Sequence, residues 1–153
     1  MERRTVRVVL DANLVVALFL PLPYSVQARD HIALWDRQGL EFLAPTLFGY
    51  ELNSALHRAA TMGLTTHREA RRAMQETQAL AIHCISPSLE LHDRALYWAE
   101  RLNYHKSYDA QYVALAEQER ADFWTADRRL ANEARRIGAG WVHWIGESVP
   151  DIP

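Results

Sequence analysis

Hydrophobic residues along this chain fall into short β-branched runs separated by longer stretches with helical spacing. Val6 to Leu10 predicts a buried strand. Leu14 to Leu20 predicts a short helix, closed by Pro21 and Pro23. Ser25 is placed to cap a second helix reaching about Gln38, with Val26, Ile32, Leu34 and Trp35 as apolar positions and Gly39 as its stop. Leu40 to Ala44 predicts a second strand. Pro45 and Thr46 open a longer helix to about Met62, stopped by Gly63; Leu47, Tyr50, Leu52, Ala55, Leu56 and Ala59 give it a broad apolar face. Thr66 with Glu69 is a capping box for a helix to about Leu80. Ala81 to Ile85 follows as a third strand. Ser88 caps a helix through about Leu102, and Ser107 one from Tyr108 to Glu119, whose core face uses Tyr112, Val113, Leu115 and Ala116. Phe123 to Thr125 is a fourth strand, Arg128 to Ile137 a last helix ended by Gly138, and Trp141 to Ile145 a last strand.

Strands alternating with helices predict an α/β domain with a mostly parallel sheet covered on both faces. A chain of 153 residues favours one domain, here residues 1–153 with a core at about 6–145. No internal repeat, low-complexity tract or linker interrupts it. The 49% hydrophobic and 24% charged content is that of a soluble globular protein. The single Cys84 excludes an internal disulfide framework. Its apolar setting, Ala81-Ile82-His83-Cys84-Ile85, predicts a buried structural thiol. A reduced thiol is compatible with the cytoplasm, the expected location. Arg3, Arg4 and Arg7 before an apolar stretch superficially resemble a secretory signal. Asp11 and Asn13 interrupt that stretch, so its longest clean run is too short to span a bilayer.

The net charge of −2 does not make the whole molecule a polyanion magnet, but charge is unevenly placed. Arg58, Arg68, Arg71 and Arg72 face one acid, Glu69. Such a patch meets phosphates or an acidic partner, or is simply a solvated helical face.

Candidate chemistry comes from carboxylates set in or beside apolar segments: Asp11 after Val8-Val9-Leu10, Glu51 between Tyr50 and Leu52, Asp109 between Tyr108 and Ala110, Asp127 after Phe123-Trp124-Thr125-Ala126. An acid beside a core segment is costly unless its charge is compensated. Each has a bland alternative: an Asx turn for Asp11, an exposed helix edge for Glu51, a favourable first-turn charge for Asp109, an N-cap for Asp127. Together they suggest acids converging on a cation, and hence phosphodiester chemistry. Two carboxylates ~5 Å apart repel by roughly 3 kcal/mol at an effective dielectric near 20. A divalent ion relieves that repulsion, and oxygen-rich sites suit Mg²⁺ or Mn²⁺.

Zinc is poorly supported, because the seven histidines are scattered without His-Glu-x-x-His or Cys-x-x-Cys pairing. His31, His57, His67, His92 and His105 are expected at surfaces, His83 and His143 in strands as satisfied core residues. No Gly-rich phosphate loop or Gly-x-Ser-x-Gly elbow occurs. Near the acids, Tyr104, His105, Lys106, Arg128 and Arg129 are candidates for contact with RNA through stacking and phosphate pairing. The five Trp residues are expected in the core.

In order and spacing, these elements resemble the PIN-domain ribonucleases, and among them the VapC-type toxins of toxin–antitoxin pairs. Asp11 with Asn13 matches the family's opening element, and Pro45 followed by Glu51, Leu52 and Asn53 its second. Tyr108-Asp109-Ala110 with Tyr112 and Ala114-Leu115-Ala116 matches the third; Thr125-Ala126-Asp127-Arg128-Arg129-Leu130 matches the fourth. The resemblance runs from Val6 to about Trp144. It implies a three-layer α/β/α sandwich around a twisted, mostly parallel sheet. It implies a metal-binding acidic site of Asp11, Glu51, Asp109 and Asp127, supported by Asn13 and Thr125. It further implies an Mg²⁺-dependent ribonuclease, a homodimer and a cognate antitoxin. Two alternatives remain open: a PIN-type nuclease of RNA maturation or turnover without an antitoxin, and a non-catalytic PIN-like binding module. All four acids are present, which disfavours the second. For assembly, Phe48, Leu52, Leu56, Met62 and Leu64 are expected to leave an apolar patch on the helical pair from Thr46 to Leu80. It would serve a dimer and an antitoxin segment, with the arginine cluster at its border.

Overall fold

Among the described residues five short strands, each fed by an apolar run, pair side by side with the same direction. They are β1 (Arg7–Leu10), β2 (Glu41–Pro45), β3 (His83–Ile85), β4 (Asp122–Thr125) and β5 (Val142–Trp144). The computed structural model describes residues 5–105 and 107–147. The sheet order is β3-β2-β1-β4-β5, parallel throughout. Register is fixed by pairs such as Val9 with Leu43 on one side and Val9 with Phe123 on the other.

Among the described residues seven α-helices cover this sheet: α1 (Ala12–Val16), α2 (Ser25–Arg37), α3 (Leu47–Thr61), α4 (His67–Glu76), α5 (Leu89–Leu102), α6 (Tyr108–Glu119) and α7 (Arg128–Arg136). Strand side chains alternate between faces, and the two cores follow that alternation. Val8, Leu10, Phe42, Ala44 and Trp124 pack under α1 to α4. Val9, Leu43, Phe123 and Val142 pack under α5, α6 and α7. The three-layer α/β/α arrangement follows, because both faces of a parallel sheet must be covered.

Local signals were read well where capping chemistry is explicit. The Thr66–Glu69 capping box forms, with Glu69 N–H donating to Thr66 Oγ1 at 3.1 Å and Thr66 N–H to Glu69 Oε2 at 3.0 Å. Ser88 accepts from Leu91 N–H at 3.1 Å. Two caps differ. Ser107 flanks α6 without a side-chain capping bond. Ser25 is the first residue of α2 rather than its cap; its hydroxyl turns back to the Leu20 carbonyl. The helix expected to reach Leu80 ends at Glu76 and tightens into a 3₁₀ turn over Thr77–Leu80.

Four burial expectations are corrected. Cys84 is exposed, because β3 is an edge strand with little packed over it. His83 is exposed for the same reason. His31 is buried, because it lies one helical turn before Trp35; its ring sits 5.4 Å from those of both Trp35 and Trp124. Phe48, Leu52 and Leu56 all reach the core, leaving only Met62 (66% exposed) and Leu64 (56%) of the expected patch outside. Trp35, Trp98 and Trp124 are buried, and Trp141 and Trp144 half-buried, as core residues. Among the described residues no helix is long and apolar enough to cross a membrane.

Candidate active site

The carboxyl ends of adjacent parallel strands diverge where the chain order reverses, and here that point lies between β1 and β4. Leu10 ends β1, so Asp11 emerges there as the N-cap of α1. Thr125 ends β4, and Asp127 follows as the N-cap of α7, accepting from Leu130 N–H at 3.0 Å. The Asp11 N–H donates to the Trp124 carbonyl at 3.1 Å, tying the two crossings together.

Thr125 is the hub. Its side chain is fully buried. Oγ1 donates to Asp11 Oδ2 at 2.8 Å. It accepts from Asp127 N–H at 3.0 Å and from Asn13 Nδ2 at 3.2 Å. Asn13 Oδ1 in turn accepts from Ala126 N–H at 3.1 Å. The supporting pair expected from sequence, Asn13 and Thr125, is therefore one hydrogen-bonded brace across the two strand ends.

The other two acids arrive on helices. Glu51 lies in α3 and Asp109 in the first turn of α6. Asp11, Glu51, Asp109 and Asp127 all line one cleft of about 290 Å³, with Ala12, Asn13, Val16, Tyr24 and Ala55. Among the described residues no Lys or Arg lines it. The bland roles and the clustered role thus coexist: Asp11 and Asp127 are caps and also cleft walls. A larger hollow of about 600 Å³ lies at the amino ends of the strands. There Arg7 pairs with Glu41 at 3.3 Å and with Glu119 at 2.8 Å, so the charge of these acids is met by a side chain of the protein.

Electrostatics record the crowding. Burial pushes the Asp11 carboxyl up from the usual 3.8 to about 7; Thr125 opposes this, while Asp109 and Glu51 add to it. Glu51 is raised by burial and by Asp109, against the hydrogen bond from Tyr112. Asp109 is raised by burial and by Asp127. Four acids lining one cleft are the donor set a hard divalent cation takes. Among the described residues, no three His, Cys, Asp or Glu side chains form a ready ligand cage. An open site of this kind suits Mg²⁺, which keeps several waters and binds through one or two carboxylates.

Of the proposed RNA contacts, Tyr104 is half-buried and close enough to Asp127 and Asp109 for their charges to raise its phenol. Arg129 also acts on that phenol. Arg128 instead lies 4.8 Å over the Trp144 ring and does not line the cleft. Lys106 lies outside the described residues, and His105 is exposed. Two residues escaped sequence reading. Tyr112, taken as core, donates its hydroxyl to Glu51; its place three residues after Asp109, on the same helical face, was the available signal. Tyr24, next to the Pro21-Leu22-Pro23 break, lines the cleft itself.

The PIN domain family model matches residues 8–135. The chain belongs to the PIN-domain family. Ribonuclease VapC3 of Pyrobaculum aerophilum is 32% identical over 132 residues, covering 83% of this chain and 94% of that protein. That likeness makes this PIN domain one of the VapC type. Two solved structures share its fold. VapBC2 of Rickettsia felis, bound to a DNA fragment from its promoter, gives a TM-score of 0.65 at 13% identity, over 90% of this chain and 98% of that one. A toxin–antitoxin complex from Klebsiella pneumoniae gives 0.61 at 17% identity, over 92% and 99%.

Proposed function

We propose that this PIN-domain protein is a ribonuclease that hydrolyses RNA phosphodiester bonds with Mg²⁺ or Mn²⁺, and that it acts as the toxin of a toxin–antitoxin pair. The observation that carries the chemistry is the single cleft on which Asp11, Glu51, Asp109 and Asp127 converge. The name and coverage of the Pyrobaculum relative support the ribonuclease assignment. The Klebsiella complex supports an antitoxin partner.

Asp11, Glu51, Asp109 and Asp127 would hold the cation. Bound there, a divalent ion neutralises a phosphate oxygen and lowers the pKa of an attacking water. The chain's own residues prepare the site. Thr125 and Asn13 fix Asp11 against the β4 end, and Tyr112 fixes Glu51. Their hydrogen bonds set carboxylate orientation before substrate arrives, which is where positioning lowers a barrier. Tyr104 and Arg129 stand beside the acids, where a stacked base and a phosphate would meet them.

A homodimer and an antitoxin complete the proposal, with action on RNA in the cytoplasm. Met62 and Leu64 remain exposed for association. A groove of about 460 Å³, lined by Leu64, Phe19, Leu20 and Leu56 together with the charged Glu69, Arg72 and Glu76, suits an amphipathic antitoxin segment. The test is cleavage of single-stranded RNA by the purified protein. Cleavage that needs Mg²⁺ and is lost in Asp11→Asn supports the assignment. Cleavage undiminished by EDTA would overturn the metal-dependent mechanism.

A further inference from the structure

Part of the cleft does nothing for a cation. Beyond the acids and Asn13, which is tied to Thr125, its lining is Ala12 and Val16 of α1, Ala55 of α3, and Tyr24. Val16 stands one helical turn past Ala12, and Ala55 one turn past Glu51. The apolar floor therefore begins beside the carboxylates and extends about 6 Å along both helices. That is comparable with the reach from a nucleotide's phosphate to its base. A ligand consisting of phosphate and metal alone would leave this floor in contact with water.

Tyr24 is held rigidly at its edge. Pro21 and Pro23 fix the backbone before it. The buried Ser25 hydroxyl donates to the Leu20 carbonyl at 2.6 Å and accepts from Leu22 N–H at 2.8 Å. Ser25 N–H donates to the Leu22 carbonyl at 3.0 Å, and Ala28 N–H to that of Tyr24 at 3.0 Å. Tyr24 packs partly on the core, is half-buried and lines the cleft. A rigid aromatic next to a phosphate site is a stacking platform, because every base offers a π-face.

We propose that Tyr24, with Val16 and Ala55, forms a subsite that stacks one nucleobase of the substrate beside the cleaved phosphodiester. It rests on the ribonuclease reading for its substrate. The test compares adenosine 5′-monophosphate with ribose 5-phosphate, which lacks the base, by titration calorimetry of the full chain in Mg²⁺ buffer. Wild-type protein is expected to bind the nucleotide about tenfold more tightly. Tyr24→Phe should keep that preference and Tyr24→Ala should lose it. Equal binding of the two probes by wild type overturns the subsite without any variant. So does a preference that survives in Tyr24→Ala or disappears in Tyr24→Phe. RNA cleavage is scored separately. A protein that cuts RNA but treats the probes alike loses the subsite and keeps the nuclease. A protein that prefers the nucleotide but cuts no RNA keeps the subsite and loses the nuclease.

Discussion

The hydroxyl of Tyr112, in a fully buried side chain of α6, donates a 2.6 Å hydrogen bond to Oε1 of Glu51 on α3. Its ring stacks on Phe123 of β4, centroids 5.3 Å apart at 14°, so the donor cannot drift. The hydrogen bond opposes the burial and the Asp109 charge that raise the Glu51 carboxyl. Tyr112→Phe removes the donor and keeps the ring. Losing a hydrogen bond to a charged group costs ~1.5–3 kcal/mol. RNA cleavage should fall by about tenfold or more. The acid limb of the pH–rate profile should move to higher pH, because Glu51 holds its proton longer. An unmoved limb with full activity would show that Tyr112 only packs.

Asp11→Asn keeps shape and removes one charge from the cleft. Cleavage should drop at least about a hundredfold, an effect expected from loss of one electrostatic contact to the reacting centre. In EDTA the variant should melt about 2–4 °C higher for each kcal/mol of repulsion relieved. Calorimetry and a gel-based cleavage assay check both halves; a lower Tm in EDTA would count against crowding at this site.

Asp11 also sets a pH dependence. Its folded-state pKa is raised from 3.8 to about 7. Between those values the folded protein holds a proton that the unfolded chain has released. Stability should therefore fall as pH rises through this window and level off above it. Glu51 and Asp109, also raised, act in the same direction. His143, raised from 6.5 mainly by Asp122, loses its own contribution as pH climbs through its folded value, again in the same direction. Asp11→Asn separates the two: metal-free Tm should decline less steeply between pH 4 and 7 in the variant. Identical slopes would remove Asp11 as the cause.

Thr125 is the buried hub of the brace. Thr125→Val deletes the donor to Asp11 and the acceptor for Asp127 N–H and Asn13. Unsatisfied buried groups cost ~1–3 kcal/mol. Thr125→Ser restores the hydroxyl. Melting temperature and cleavage should both fall in the valine variant and recover largely in the serine variant. Equal losses in the two would point to methyl packing instead.

Assembly has its own check. With Phe48, Leu52 and Leu56 buried, a dimer through this region depends on Met62 and Leu64. Light scattering should show a dimer at micromolar concentration, converted to monomer by Met62→Glu with Leu64→Glu. A wild-type monomer, unshifted by the product of the adjacent gene, would remove dimer and antitoxin from the proposal and leave the nuclease.

By itself the sequence determined the alternation of elements, because strand runs and helical spacing are local patterns read a few residues at a time. It also marked Asp11, Glu51, Asp109 and Asp127, since a carboxylate beside a core segment stands out wherever the chain goes. Only the tertiary structure decided what meets what. The pairing of β1 with β4 puts Thr125 under Asp11 across more than a hundred residues, and the sheet between α3 and α6 brings Tyr112 to Glu51 from the other layer. Sheet position made Cys84 an exposed edge residue, although its neighbours read as core. Helix facing sent His31 inward and Leu52 and Leu56 into the first core rather than onto a patch. Local patterns report which residues prefer to leave water. Which partner covers them, and which hydroxyl reaches which carboxylate, depends on contacts between segments far apart in the chain.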